Sequence, residues 1–135
     1  MLIRDTFIEM LNDEFLMMNE MKKENIILDK SFGFALKIIA LYKEMANQKE
    51  FVLSKQLLRS GTSIGANVEE ASAAVSKKDF AAKMSIASKE ARESRYWLRL
   101  IKMSNIVTVP VDEHLKEVDD IVNILTAIVK TSQSS

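Results

Sequence analysis

A chain of 135 residues with 47% hydrophobic content has the length and apolar supply of one ordinary domain. A single proline, three glycines and no cysteine leave little turn chemistry, and exclude a disulfide framework, a thiolate metal site and a cysteine nucleophile. The 19 basic and 19 acidic residues cancel overall, yet residues 77–105 hold eight Lys/Arg against three Asp/Glu, while residues 1–30 and 106–135 are each acidic by three charges.

The first residues, through Asp5 and Glu9, are acidic where a secretory signal is basic. No later segment approaches the roughly 18 apolar residues of a membrane span, so a cytoplasmic chain with no membrane contact is expected. Residues 1–24 form an N-terminal extension that is helical or flexible. Ile3, Phe7, Met10, Leu11, Phe15, Met18 and Met21 give it loose helical periodicity, and five of the eight methionines lie there, a composition suited to adaptable packing on a neighbour.

A bundle domain is expected over residues 25–131. Ser31 is read as the N-cap of a helix to about Gln48, with Phe34, Ile38, Leu41 and Met45 on one side and Phe32, Leu36, Ile39 and Tyr42 on another. Two apolar sides imply one buried in the bundle and one against another subunit. The next helix is placed from about Phe51 to Val75 through Leu53, Leu57, Ser60, Ile64, Asn67, Ala71 and Ala74. Gly61 and Gly65 in its interior each cost about 1 kcal/mol relative to Ala, and close approach of another helix is the expected compensation.

The third predicted helix follows Ser76 as N-cap, with Asp79 in its first turn. Phe80, Met84, Ala87, Ala91, Ser94, Leu98, Ile101 and Asn105 recur at alternating spacings of four and three, a bundle seam. The last helix follows Pro110, read as a first-turn residue, through Val111, Leu115, Val118, Val122, Leu125 and Val129, flanked by Ile121, Ile124 and Ile128. Residues 132–135 are expected to be a disordered tail. The fold class is therefore all-α, an antiparallel up-and-down four-helix bundle with an N-terminal helical extension.

Catalytic and cofactor chemistry finds no footing in the sequence. SGTSIGAN around Gly61 and Gly65 lacks the Lys-Ser/Thr of a phosphate loop. Glu69, Glu70, Glu90 and Glu93 lack the Glu-x-x-His partners of a di-metal bundle, so salt bridges between helices are expected of them. The lone His114 has no nucleophile to activate. No catalytic residue, metal site or cofactor is expected, and the chain is read as a binding or assembly module, not an enzyme.

One constellation points to a partner. Arg92, Arg95, Arg99 and Lys102, at spacings of three, four and three, form a basic ridge on the third helix, with Lys89 and Tyr96 beside it and Lys78 near the helix start. Such a ridge neutralises phosphates, and arginine forks bind them in pairs of hydrogen bonds. The competing reading is a solvated face whose arginines pair with Glu90, Glu93 or the acidic last helix.

The phrases LSKQLLRSGTSIGANVEEA and SKKDFAAKMSIASKEARESRYWL are more specific than generic helix patterns. From Ser31 to Leu98 the chain resembles the four-helix bundle proteins encoded in intervening sequences of 23S ribosomal RNA genes, related to the accessory variability proteins of diversity-generating retroelements. That resemblance implies a homopentameric ring and contact with RNA or DNA through a basic surface, with a protein partner as the alternative. The family's recurring polar positions fall on Arg59, Asn67, Glu70, Lys78, Glu90, Glu93 and Tyr96. Family members begin near Met21, so the preceding 20 residues are an addition about which the resemblance says nothing.

Overall fold

The computed structural model describes residues 2–133. Four helices follow in order, α1 (Leu2–Asn47), α2 (Leu53–Ser72), α3 (Lys77–Ser104) and α4 (Asp112–Gln133), and no strand occurs among the described residues. Each helix packs on its sequence neighbour, and α1 closes the square against α4. Short connections make successive helices antiparallel, which gives the expected up-and-down bundle.

The core is the set of seams facing inward: Phe34, Ile38, Leu41 and Met45 of α1, Leu57, Ile64 and Val68 of α2, Met84, Leu98 and Ile101 of α3, and Val118, Ile121, Leu125 and Ile128 of α4. Each such side chain contributes on the order of 1.5–3 kcal/mol of burial. Small residues line the buried side of α3, Ala87, Ala91 and Ser94, and the fully buried hydroxyls of Ser60 on α2 and Ser94 on α3 hydrogen-bond at 2.9 Å. A Cβ added at Gly61 would stand 3.0 Å from Ile38 of α1, the close approach that compensates for a helical glycine. Gly65 differs from expectation: its added Cβ would meet Ser31 at an ordinary 3.5 Å.

Several boundaries depart from the sequence reading. Ser31 is no N-cap; α1 runs unbroken across residues 24 and 25, and Ser31 is buried within it, donating to the Leu28 carbonyl at 3.2 Å. The physical reason is continuity: Ile27 and Ser31 already belong to the seam that Phe34 and Ile38 extend, and Glu24–Lys30 contains no Gly or Pro to interrupt it. In α2 the inward position is Val68, not Asn67, and the helix ends at Ser72, leaving Ala74 outside it. Pro110 precedes α4 instead of opening it. Of the expected disordered tail, Ser132 and Gln133 are helical, and residues 134–135 lie outside the described residues.

The connections are built from polar caps. Lys49 adopts the left-handed conformation with φ 63°, and the Glu50 and Lys49 amides donate to the carbonyls of Met45 and Ala46, a Schellman ending without its usual glycine. The Glu50 carboxylate then accepts from the amides of Val52, Leu53 and Ser54 at 2.8–3.0 Å, satisfying the first turn of α2. Burial pushes the Glu50 carboxyl up, but these donors outweigh it and hold it below the ordinary glutamate value. Ser76 caps α3 as expected, accepting from the Asp79 amide at 3.0 Å. At the same end as Glu50, the Gln48 side-chain amide clasps Thr108, donating to its carbonyl at 3.0 Å and accepting from its amide at 2.8 Å.

Candidate nucleic-acid interface

The basic ridge lies where α3 faces α4. Helical spacing sets it beside the buried seam, so its side chains reach across the α3/α4 groove. Arg92 donates to Thr126 Oγ1 at 3.0 Å, Arg95 pairs with Asp119 at 3.3 Å, and Lys102 pairs with Asp112 at 2.7 Å. Arg99 makes no ion pair among the described residues and is exposed, as are Lys89 and Lys78 farther out on the same helix. Tyr96 is 53% exposed and stands edge-on to Trp97, with ring centroids 5.1 Å apart. Structure thus brings Arg92, Arg95, Arg99 and Lys102 into one ridge, and sets Lys78, Lys89 and Tyr96 on its outer side.

The acidic last helix is the ridge's internal partner, as one of the two sequence readings held. Its carboxylates remain well solvated, with the Asp119 side chain 56% and the Asp112 side chain 80% exposed. Exposed pairs of this kind contribute about 0–1 kcal/mol and exchange readily for another anion. Any anion brought to this groove would have to compete with Asp119 and Asp112 for Arg95 and Lys102, but would meet Arg99 without a competing ion pair.

Glu90 and Glu93 turn the other way. Arg59 of α2 pairs with Glu90 at 3.2 Å and also with Glu93, and Lys83 pairs with Glu70 at 2.9 Å. The Glu70 hydrogen bond raises the Lys83 ammonium above its ordinary value. These are the salt bridges between helices expected of the glutamates, while Glu69 lines a separate groove beside Phe32. A similar clasp joins α1 to α4, where Lys37 meets Glu117 and, at 3.1 Å, Glu113; both bonds raise the lysine. Sequence reasoning named the acidic last helix as a partner of the ridge but not the individual residues. Asp119 and Thr126 lie 24 and 34 residues from their arginines, and nothing local encodes that register.

The outward side of α1 is apolar. Phe32, Leu36 and Ile39 are 63%, 55% and 38% exposed, and with Thr62, Gly65 and Ala66 of α2 they line a groove of about 320 Å³. No helix among the described residues is long and apolar enough to cross a membrane.

The family model of the 23S rRNA-intervening sequence protein matches residues 23–127. The chain is also similar to the crystal structure of a protein with unknown function from the S23 ribosomal protein family of Bacteroides thetaiotaomicron, at 47% identity and a TM-score of 0.76, covering 80% of this chain and 98% of that one. No curated protein matches it.

Proposed function

The chain belongs to the 23S rRNA-intervening sequence protein family, and from that premise we propose that it is a non-enzymatic, cytoplasmic, oligomeric module that contacts structured nucleic acid, RNA foremost, through the α3 ridge. The observation that carries this proposal is the row of Arg92, Arg95, Arg99 and Lys102 along one groove, with Arg99 exposed and outside any ion pair among the described residues. Lys78, Lys89 and Tyr96 extend the contact, the lysines to phosphates and the tyrosine to an unstacked base. In a homo-oligomer, such as the five-membered ring that the family resemblance implies, the modest ridge repeats and weak contacts add by avidity.

Binding of a long structured RNA, followed by fluorescence anisotropy, tests the proposal. Four phosphate contacts per subunit predict a loss of about a hundredfold between 50 and 200 mM salt. Affinity indifferent to salt, or unchanged by Arg95→Glu with Arg99→Glu, would end this proposal.

A second reading, a protein-binding scaffold, is favoured by the exposed Phe32, Leu36 and Ile39, whose chemistry suits a helix rather than a nucleic acid. Pull-down of one stoichiometric protein after nuclease treatment, lost in Leu36→Glu and retained in Arg99→Glu, would establish it instead.

A further inference from the structure

Helix α1 outruns the bundle. Its 46 residues extend about 69 Å at 1.5 Å per residue, against 20, 28 and 22 residues in α2, α3 and α4. The preceding arm, residues 2–22, lies outside the span matched by the family model. The side of α1 that enters the core continues onto this arm. Counting back from the buried Ile27 by 3, 4 and 3 residues reaches Glu24, Glu20 and Met17, which helical spacing sets on that same side.

Beyond the core these three residues overhang the α2–α3 connection and the last turns of α4, and a cleft of about 570 Å³ opens there, walled by Val75, Phe80 and Ile128. That volume falls within the roughly 300–1,000 Å³ of small-molecule sites. Its apolar lip is bare, with Met17 63% and Val75 97% exposed. Its two carboxylates differ. Glu20 pairs with Lys23 at 3.2 Å, whereas the half-buried Glu24 side chain makes no ion pair or hydrogen bond among the described residues. Burial, together with the neighbouring Glu20 carboxylate, pushes the Glu24 carboxyl above the ordinary glutamate value.

We infer that this cleft binds a small organic cation, an ammonium carried on an apolar body, with the charge at Glu24 and the body against Val75, Phe80 and Ile128. Charge selects that occupant. An ammonium beside Glu24 makes up for the carboxylate's lost solvation and offsets its repulsion by Glu20. The arm adds to the same field: Glu9, Asp13, Glu20 and Glu24, at steps of 4, 7 and 4, form one acidic column on the side that overhangs the cleft. Lys77 is the one cation among the lining residues; it is exposed, and the column outweighs it. The cleft shares no residue with the α3 ridge, so this inference goes beyond the nucleic-acid proposal and stands apart from it. Because Met17 and Glu20 precede the span matched by the family model, the site belongs to the extension of this chain.

Titration of the full chain with phenethylammonium, followed by the methyl resonances of Met17, Val75 and Ile128, tests it. All three methyl signals should shift. Phenylacetate, a similar body with the opposite charge, and ethylammonium, the same charge without the ring, should each bind about tenfold more weakly or worse. Glu24→Gln keeps the side chain's shape and removes a charge that burial disfavours, so it should be at least as stable as the parent in urea while losing about tenfold in affinity for phenethylammonium. Lys77→Ala removes a like charge and should keep or tighten that affinity. Phenylacetate or ethylammonium binding as tightly as phenethylammonium, undiminished affinity in Glu24→Gln, weaker affinity in Lys77→Ala, or methyl signals that stay in place would each overturn the inference.

Discussion

The two flanks of α3 carry the same kinds of residue in opposite arrangements. Toward α2, beyond the Lys83–Glu70 pair near the start of α3, Glu90 and Glu93 belong to α3 and the guanidinium of Arg59 reaches in from outside; its partner Glu90 is only 16% exposed, over the buried Ser60–Ser94 contact. Toward α4, the cations belong to α3 and the carboxylates reach in, with the Asp119 and Asp112 side chains 56% and 80% exposed. Burial separates the two. Less solvent around Glu90 ties the α2 flank to stability, whereas well-solvated pairs on the α4 flank contribute little and, in the proposed function, give way to a phosphate.

Overfilling the α2 flank should have the largest effect. Ser94→Leu forces a bulky side chain against Ser60 and is expected to cost about 2–3 kcal/mol in urea unfolding; an equal cost from Asp119→Leu would erase the distinction between the flanks. Next comes the cap of the helix that carries Arg59. Glu50→Gln should lose about 1–2 kcal/mol at neutral pH. Because the folded carboxyl sits below its ordinary value, its stabilisation is full above the unfolded glutamate pKa and fades as pH falls through the folded one. The gap between parent and Glu50→Gln should therefore close in acid, and a constant gap would refute the capping role.

Arg59→Ala should cost about 1 kcal/mol or less, since its side chain is 50% exposed, and should leave RNA affinity unchanged. The smallest stability effect should be Asp119→Asn, within about 0.5 kcal/mol. That variant sharpens the comparison most: freeing Arg95 should raise RNA affinity severalfold, and a fall in affinity would show that the ridge needs its carboxylates.

Much of this was legible in the sequence because helix seams are local patterns. The Met84–Ile101 seam of α3, the Ser76 cap and the inward side of α1 all follow from spacing. Ser31 misled because serine chemistry suits both an N-cap and a buried position donating to its own helix, and only the unbroken seam through Ile27 distinguishes them. Asn67 misled because a strict seven-residue seam drifts on a short helix, bringing Val68 inward instead. The basic ridge was visible as a spacing, but its pairing with Asp119, Thr126 and Asp112 depends on how α3 and α4 slide past one another, which large apolar side chains far from those residues determine.

The Gln48–Thr108 clasp gives the bundle mechanical polarity. It ties two loops together at the end opposite the arm, and α1 connects those ends without a proline or a hinge. A tug on the tip of α1 is carried along one stiff rod to that knot, while the pole from which the rod emerges stays the softer one, so backbone amides there should exchange with deuterium first.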